Sequence, residues 1–93
     1  MVIFVTSQNC HYCDAMKRDT WRDAGIRRRV ANEFIAIELT LDRNAEALSR
    51  IGVKAFPMTL VGLPEGRIVS HRKGYQNAAA LNDVLEETMQ HSR

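Results

Sequence analysis

Apolar positions along the chain fall into two rhythms, one of period two and one of three and four, and the switches between them delimit the elements. The run Val2 to Thr6 is β-branched and aromatic and ends in the polar cluster Ser7, Gln8, Asn9, which predicts a buried strand leading into a loop. From Cys10 to about Thr20 the period becomes helical, with Cys13, Met16 and Thr20 on one stripe. Asp23 is placed to cap a second helical stretch carrying Ile26 and Val30, and Trp21 lies at the junction as a core plug. Phe34 to Leu41 alternates Phe34, Ile35, Ile37 and Leu39 with smaller or polar residues, which predicts a second strand. Asp42 then caps a short helix holding Ala45, Leu48 and Ile51, and Gly52 suits the left-handed residue that ends it.

After Gly52 a third strand is expected over Pro57 to Val61 and a fourth over Arg67 to His71, joined by a turn containing Pro64. So short a connection makes the pair antiparallel. A last helix follows Asn77, with Leu81, Val84, Leu85, Thr88 and Met89 repeating at three and four. The order β-α-β-α-β-β-α implies an α/β domain: a four-stranded mixed sheet with helices on both faces and a right-handed first crossover. The expectation is one domain over residues 1–93, with no internal repeat.

Composition narrows the function. Thirteen Lys and Arg against eleven Asp and Glu leave a net charge of +2, too small a basic excess to indicate nucleic acid. The run Arg27, Arg28, Arg29 has helical spacing and reads as a solvated face. No apolar stretch approaches the ~20 residues that span a bilayer, so no membrane span is expected. Met1 leads directly into Val2, Ile3, Phe4 and Val5 without a basic leader or cleavage site. A domain cut from a longer, exported precursor would be periplasmic or otherwise outside the cytoplasm; otherwise it would be cytoplasmic. With 93 residues and 45% apolar content there is little apolar surface to spare for a large face, and a monomer is expected.

Two cysteines are too few for a disulfide framework or a four-cysteine zinc site, which leaves redox chemistry as the leading use of Cys10-His11-Tyr12-Cys13. The motif lies where a strand ends and a helix begins, so Cys10 falls near unpaired amides and the positive end of a helix dipole, both of which favour thiolate. The second sulfur is then one turn away. Attack by Cys10 on a disulfide, followed by resolution by Cys13, exchanges electrons with protein disulfides or dithiols and requires an upstream redox partner, but no cofactor. His11 either tunes the Cys10 thiolate as imidazolium or is an exposed loop histidine of little effect.

Strand, Cys-x-x-Cys at a helix start, a β-α unit and then Gly-Val-Lys-Ala-Phe-Pro-Met-Thr-Leu at 52–60 resemble the thioredoxin superfamily over nearly the whole chain. Within it, Cys-His-Tyr-Cys followed by Asp14, Met16, Thr20, Trp21 and Asp23 is similar to the C-terminal domain of bacterial transmembrane thiol:disulfide interchange proteins. The resemblance implies a thioredoxin fold and a disulfide oxidoreductase that works as a reductase. It also implies that Pro57 is cis and faces the cysteines, and that Phe56 offers backbone groups to an extended substrate segment. Gly74 would let its loop approach the site, and Tyr12 would join Phe56, Pro57 and Gly74 on the substrate face.

Three departures bear on turnover. Phe4 stands where thioredoxins usually carry a buried aspartate, Asn9 replaces the usual tryptophan, and the dipeptide between the cysteines is not Gly-Pro. The additional first strand and helix of full-length thioredoxins are absent from these 93 residues. Two readings of other classes compete with exchange: a copper(I) or zinc module using the two thiolates with His11 or a Met assisting, zinc needing a second chain or distant histidines such as His71 and His91 as well, and a redox-inert binding domain.

Overall fold

In the computed structural model, which describes residues 1–91, the chain runs β1 (Val2–Thr6), α1 (His11–Met16), a π-helical turn (Lys17–Trp21), α2 (Ala24–Glu33), β2 (Ala36–Thr40), α3 (Leu41–Ile51), β3 (Met58–Gly62), β4 (Ile68–Lys73) and α4 (Ala78–His91). The strands form one sheet in the order β2-β1-β3-β4. β1 and β2 run parallel, whereas β1–β3 and β3–β4 are antiparallel. This is the four-stranded mixed sheet that the pattern of elements predicts.

Period-two alternation along the two central strands divides the core. Val2 of β1 and Val61 of β3 face one side, where they meet Ile26 and Val30 of α2 and Leu81, Val84 and Leu85 of α4. Ile3, Val5, Met58 and Leu60 face the other, where Leu48 of α3 and Val53 cover them. Both central strands are buried along their length, so every side chain on them is committed to one helical layer or the other. Full burial of a side chain such as Leu81 or Leu85 contributes about 1.5–3 kcal/mol.

The helix ends follow local chemistry. Asp23 caps α2, its carboxylate accepting the Ile26 amide at 3.0 Å. Asn77 precedes α4 and accepts the Ala80 amide at 2.8 Å. Gly52 closes α3 at φ 84°, as its position in the sequence predicts.

Several expectations need correction. The second strand begins at Ala36 rather than Phe34, because Phe34 caps α2 through its amide and packs on the core. Ile35, just before β2 at the sheet edge, is 73% exposed and Ile37 of β2 is exposed too, whereas Leu39 packs on the α3-side core. α3 starts at Leu41 and not behind an Asp42 cap; Asn44 leaves helical geometry and its side chain accepts the Thr40 amide at 3.0 Å. Of the expected stripe Ala45, Leu48, Ile51, Leu48 alone is buried.

The arginine run is likewise only partly a solvated face. Arg27 and Arg28 are exposed, but Arg29 lies across the groove between α2 and α4, donating to Glu33 at 2.9 Å, to Asn82 at 2.8 Å and to Glu86. The two glutamates hold its guanidinium above its ordinary pKa, the Glu86 bond contributing most and burial opposing them.

Candidate redox site

β1 ends at Thr6, and the loop that follows turns through Asn9 at φ 55°, a left-handed geometry that asparagine tolerates better than most side chains. The turn delivers Cys10 to the N-cap of α1 in extended geometry. There its sulfur accepts the Cys13 amide at 3.1 Å, and its carbonyl accepts the Asp14 amide at 3.1 Å. Cys10 and Cys13 are joined as a disulfide, with Cα atoms 5.2 Å apart. Their exposure is unequal: Cys10 is half-buried, whereas Cys13 is 1% exposed.

That inequality follows from helix geometry. The N-cap stands off the helix axis toward solvent, while the residue one turn on lies on the inward stripe with Ala15 and Met16. In the reduced protein the same cap leaves the Cys10 sulfur against a backbone donor and the positive end of α1, conditions that favour a thiolate. The Asp14 carboxylate in the first turn opposes part of that field.

Strand register brings two other loops to the same end of the sheet. Met58 pairs with Val5 near the end of β1 and with Lys73 at the end of β4, so Pro57 and Gly74 lie beside one another next to the loop that leads to Cys10. The Phe56–Pro57 peptide is cis. Gly74 donates its amide to the Pro57 carbonyl at 2.8 Å. Gly74 has φ 80° and a Cβ there would meet nothing within 4 Å, so backbone conformation rather than close approach calls for glycine. The Phe56 side chain packs against the α3-side core. Tyr12 is 63% exposed, with His11 edge-on to its ring at 5.4 Å.

Behind the cysteines the interior is apolar. Phe4 packs against Trp21 with ring centroids 5.3 Å apart and the ring planes tilted by 45°, and the buried polar side chains among the described residues are Thr6, Thr20, Thr59, Ser70 and Thr88, with no carboxylate among them. Two open grooves flank β2, one lined by Phe4, Lys17, Trp21 and Glu38, the other by Met1, Phe34, Ile35 and Pro64; neither touches a cysteine. Among the described residues no three His, Cys, Asp or Glu side chains converge as metal ligands. His71 sits exposed in β4 and His91 at the end of α4.

One group of contacts was not legible beforehand. Asp19 and Thr20, in the π turn after α1, bond to Tyr75 and Gln76 beyond Gly74, 56 residues along the chain. The sequence carries no signal for it, because the extra residue of a π turn and the partner loop are both set by tertiary packing.

Residues 1–89 match the profile of the thioredoxin-like domain. The chain belongs to the thioredoxin-like family. A search of curated proteins found no match. Among solved structures, this thioredoxin-like chain is similar to a thioredoxin-fold protein from Helicobacter pylori, with a TM-score of 0.84 at 18% identity over 92% of this chain and 66% of that one. The oxidised C-terminal domain of DsbD from Neisseria meningitidis gives 0.80 at 17% identity, covering 95% and 78%. A thioredoxin from Thermus thermophilus gives 0.76 at 22% identity, covering 96% and 70%. This chain thus spans 66–78% of the length of those relatives. A thioredoxin fold that carries a Cys10–Cys13 disulfide at a helix start supports a thiol:disulfide oxidoreductase-like role. No helix among the described residues is long and apolar enough to cross a membrane.

Proposed function

We propose that this thioredoxin-like protein is a protein disulfide reductase whose nucleophile is Cys10 and whose resolving residue is Cys13. The observation that carries the reading is the disulfide between a half-buried N-cap sulfur and a buried sulfur one turn on. Such a pair separates the two tasks of exchange, since one sulfur is reachable by a partner and the other only by its neighbour.

In the reduced protein the Cys10 thiolate attacks one sulfur of a substrate disulfide, forming a Cys10–substrate bond as the substrate S–S bond breaks. The departing substrate thiolate takes a proton. Cys13 then loses its proton and attacks the Cys10 sulfur, forming the intramolecular disulfide and releasing the second substrate thiolate. The substrate gains two electrons and two protons, and an upstream dithiol donor returns them to the Cys10–Cys13 pair.

The remaining residues form the face on which a substrate lies. Tyr12 offers an exposed ring, the Phe56–Pro57 segment offers backbone, and Gly74 completes the edge. His11, as imidazolium, would add a positive charge beside the Cys10 thiolate. With no buried carboxylate among the described residues, the Cys13 proton leaves by another route, and resolution is expected to be slow compared with attack. A protein substrate suits this open surface better than a small molecule does, because the grooves described lie beside β2.

The test is the reduction potential of the pair, equilibrated in graded glutathione buffers and read by thiol trapping. A midpoint near −270 mV, about that of thioredoxin, supports a reductase, and one near about −120 mV marks an oxidant instead. A protein with no reversible two-electron transition sinks the exchange mechanism altogether.

A further inference from the structure

Asp19 and Thr20 sit next to each other in the π turn that continues the redox helix, and they reach the same loop. The Tyr75 phenol donates to the Asp19 carboxylate at 2.9 Å, and the Thr20 hydroxyl donates to the Gln76 carbonyl. Gly74, immediately before them, donates its amide to the Pro57 carbonyl at 2.8 Å. Gln76 in turn donates through its side chain to the Lys73 carbonyl at 3.3 Å, closing the loop on itself. The result is a continuous line of bonds from the helix that begins at Cys10, through loop 74–76, to Pro57.

The two anchors differ in kind. Thr20 is fully buried, so its bond is part of the core. Asp19 and Tyr75 lie at the surface, and the phenol is partly exposed beside Gly74. The pair therefore touches none of the sulfurs, yet it is held where an extended segment laid along Pro57 and Gly74 would pass. A loop with a left-handed glycine at its head has little intrinsic preference for one conformation, and an external tether supplies it.

We propose that Tyr75, anchored on Asp19, is a positioning residue for capture of protein disulfides: it holds loop 74–76, and through it the Pro57 segment, in register with the helix that carries the cysteines. This rests on the reductase reading above. A small disulfide needs only the Cys10 sulfur, whereas a protein disulfide must also lie along the loop. Removing the phenol oxygen thus separates the two classes of substrate.

The experiment compares the wild type with Tyr75→Phe, Asp19→Ala and Asp19→Asn. Each is assayed on insulin as a protein disulfide and on hydroxyethyl disulfide as a small one, with Gly74 amide exchange read by NMR. Tyr75→Phe is expected to raise KM for insulin about two- to tenfold, the worth of one hydrogen bond, with kcat and the small-disulfide reaction unchanged. Asp19→Ala should reproduce it, Asp19→Asn should restore most of it because an acceptor oxygen remains, and the double variant Tyr75→Phe/Asp19→Ala should be no worse than either. Gly74 exchange should quicken in Tyr75→Phe. Equal losses on both substrates, or an unchanged insulin KM, overturn the positioning role. A wild type that reduces neither substrate overturns the reductase reading and this role with it. Unaltered Gly74 exchange beside normal wild-type turnover overturns the tether alone.

Discussion

The Cys10 sulfur accepts the amide of Cys13 at 3.1 Å, so Cys10 caps the helix that carries its disulfide partner. In the reduced protein that donor, together with the helix dipole, is expected to hold the Cys10 thiol below its free value of about 8.5. Iodoacetamide alkylation followed against pH, with peptide mapping, should show one reactive site at Cys10 with a lowered midpoint and little reaction at buried Cys13. Equal, unshifted rates at both would contradict the cap argument.

In the proposed mechanism Cys13→Ser leaves the Cys10 nucleophile in place and removes the second of the two cysteines, the thiol assigned to resolution. The variant should accumulate a mixed disulfide on Cys10 that non-reducing gels detect and dithiothreitol reverses, and Cys10→Ser should accumulate none. A Cys13→Ser protein that turns over like the wild type would show that an outside thiol does the resolving.

The core assignments predict unequal costs for two apolar residues. Leu85→Ala empties a fully buried position between α4 and the sheet and should cost about 2–5 kcal/mol. Ile35→Ser alters an exposed residue before the edge strand and should stay within about 0.5 kcal/mol of zero. Urea denaturation of the two variants checks both.

Arg29 is the member of its run that holds structure. Its side chain is 18% exposed and its partners are glutamates at the surface, so solvent screens the charges and geometry matters more than Coulomb energy. Arg29→Ala should cost about 1 kcal/mol, and Arg29→Lys should recover less than half of it because an ammonium cannot span Glu33, Asn82 and Glu86 together. Arg28→Ala, on the exposed face, is the control.

The Asp19–Tyr75 bond should leave a mark on titration. The phenol, and after it Arg18, holds the Asp19 carboxyl below its ordinary 3.8, and the Asp19 carboxylate holds the Tyr75 phenol above its ordinary 10.0. For Asp19 the interaction is complete above 3.8 and is lost as pH falls through the lowered folded value. For Tyr75 it is complete below 10.0 and is lost as pH rises through the raised one. NMR titration of the Tyr75 ring should show ionisation above pH 10 that Asp19→Ala returns toward the ordinary value. No change in that variant would mean that the bond does not form in solution.

Much of the fold is local and was therefore readable. Val2 to Thr6, the Asp23 cap, Gly52 and the α4 stripe depend on propensity and spacing within a few residues, and the structure places each as the pattern indicates. β2 shows the limit of that method. Alternation announces a strand with two faces, but whether a layer covers them depends on the sheet order, which leaves Ile35 and Ile37 exposed at an edge.

The same division holds at the site. The sequence alone determined that two thiols three residues apart sit at a strand-to-helix junction, and with the proline segment at 52–60 it determined the family resemblance, because covalent spacing and backbone propensity need no partner. Only the tertiary structure decided that Gly74 lies against Pro57, that Arg29 ties α2 to α4, and that Asp19 meets Tyr75 across 56 residues. Contacts at such separation are selected by the packing of whole layers, and nothing in the intervening chain encodes them one residue at a time.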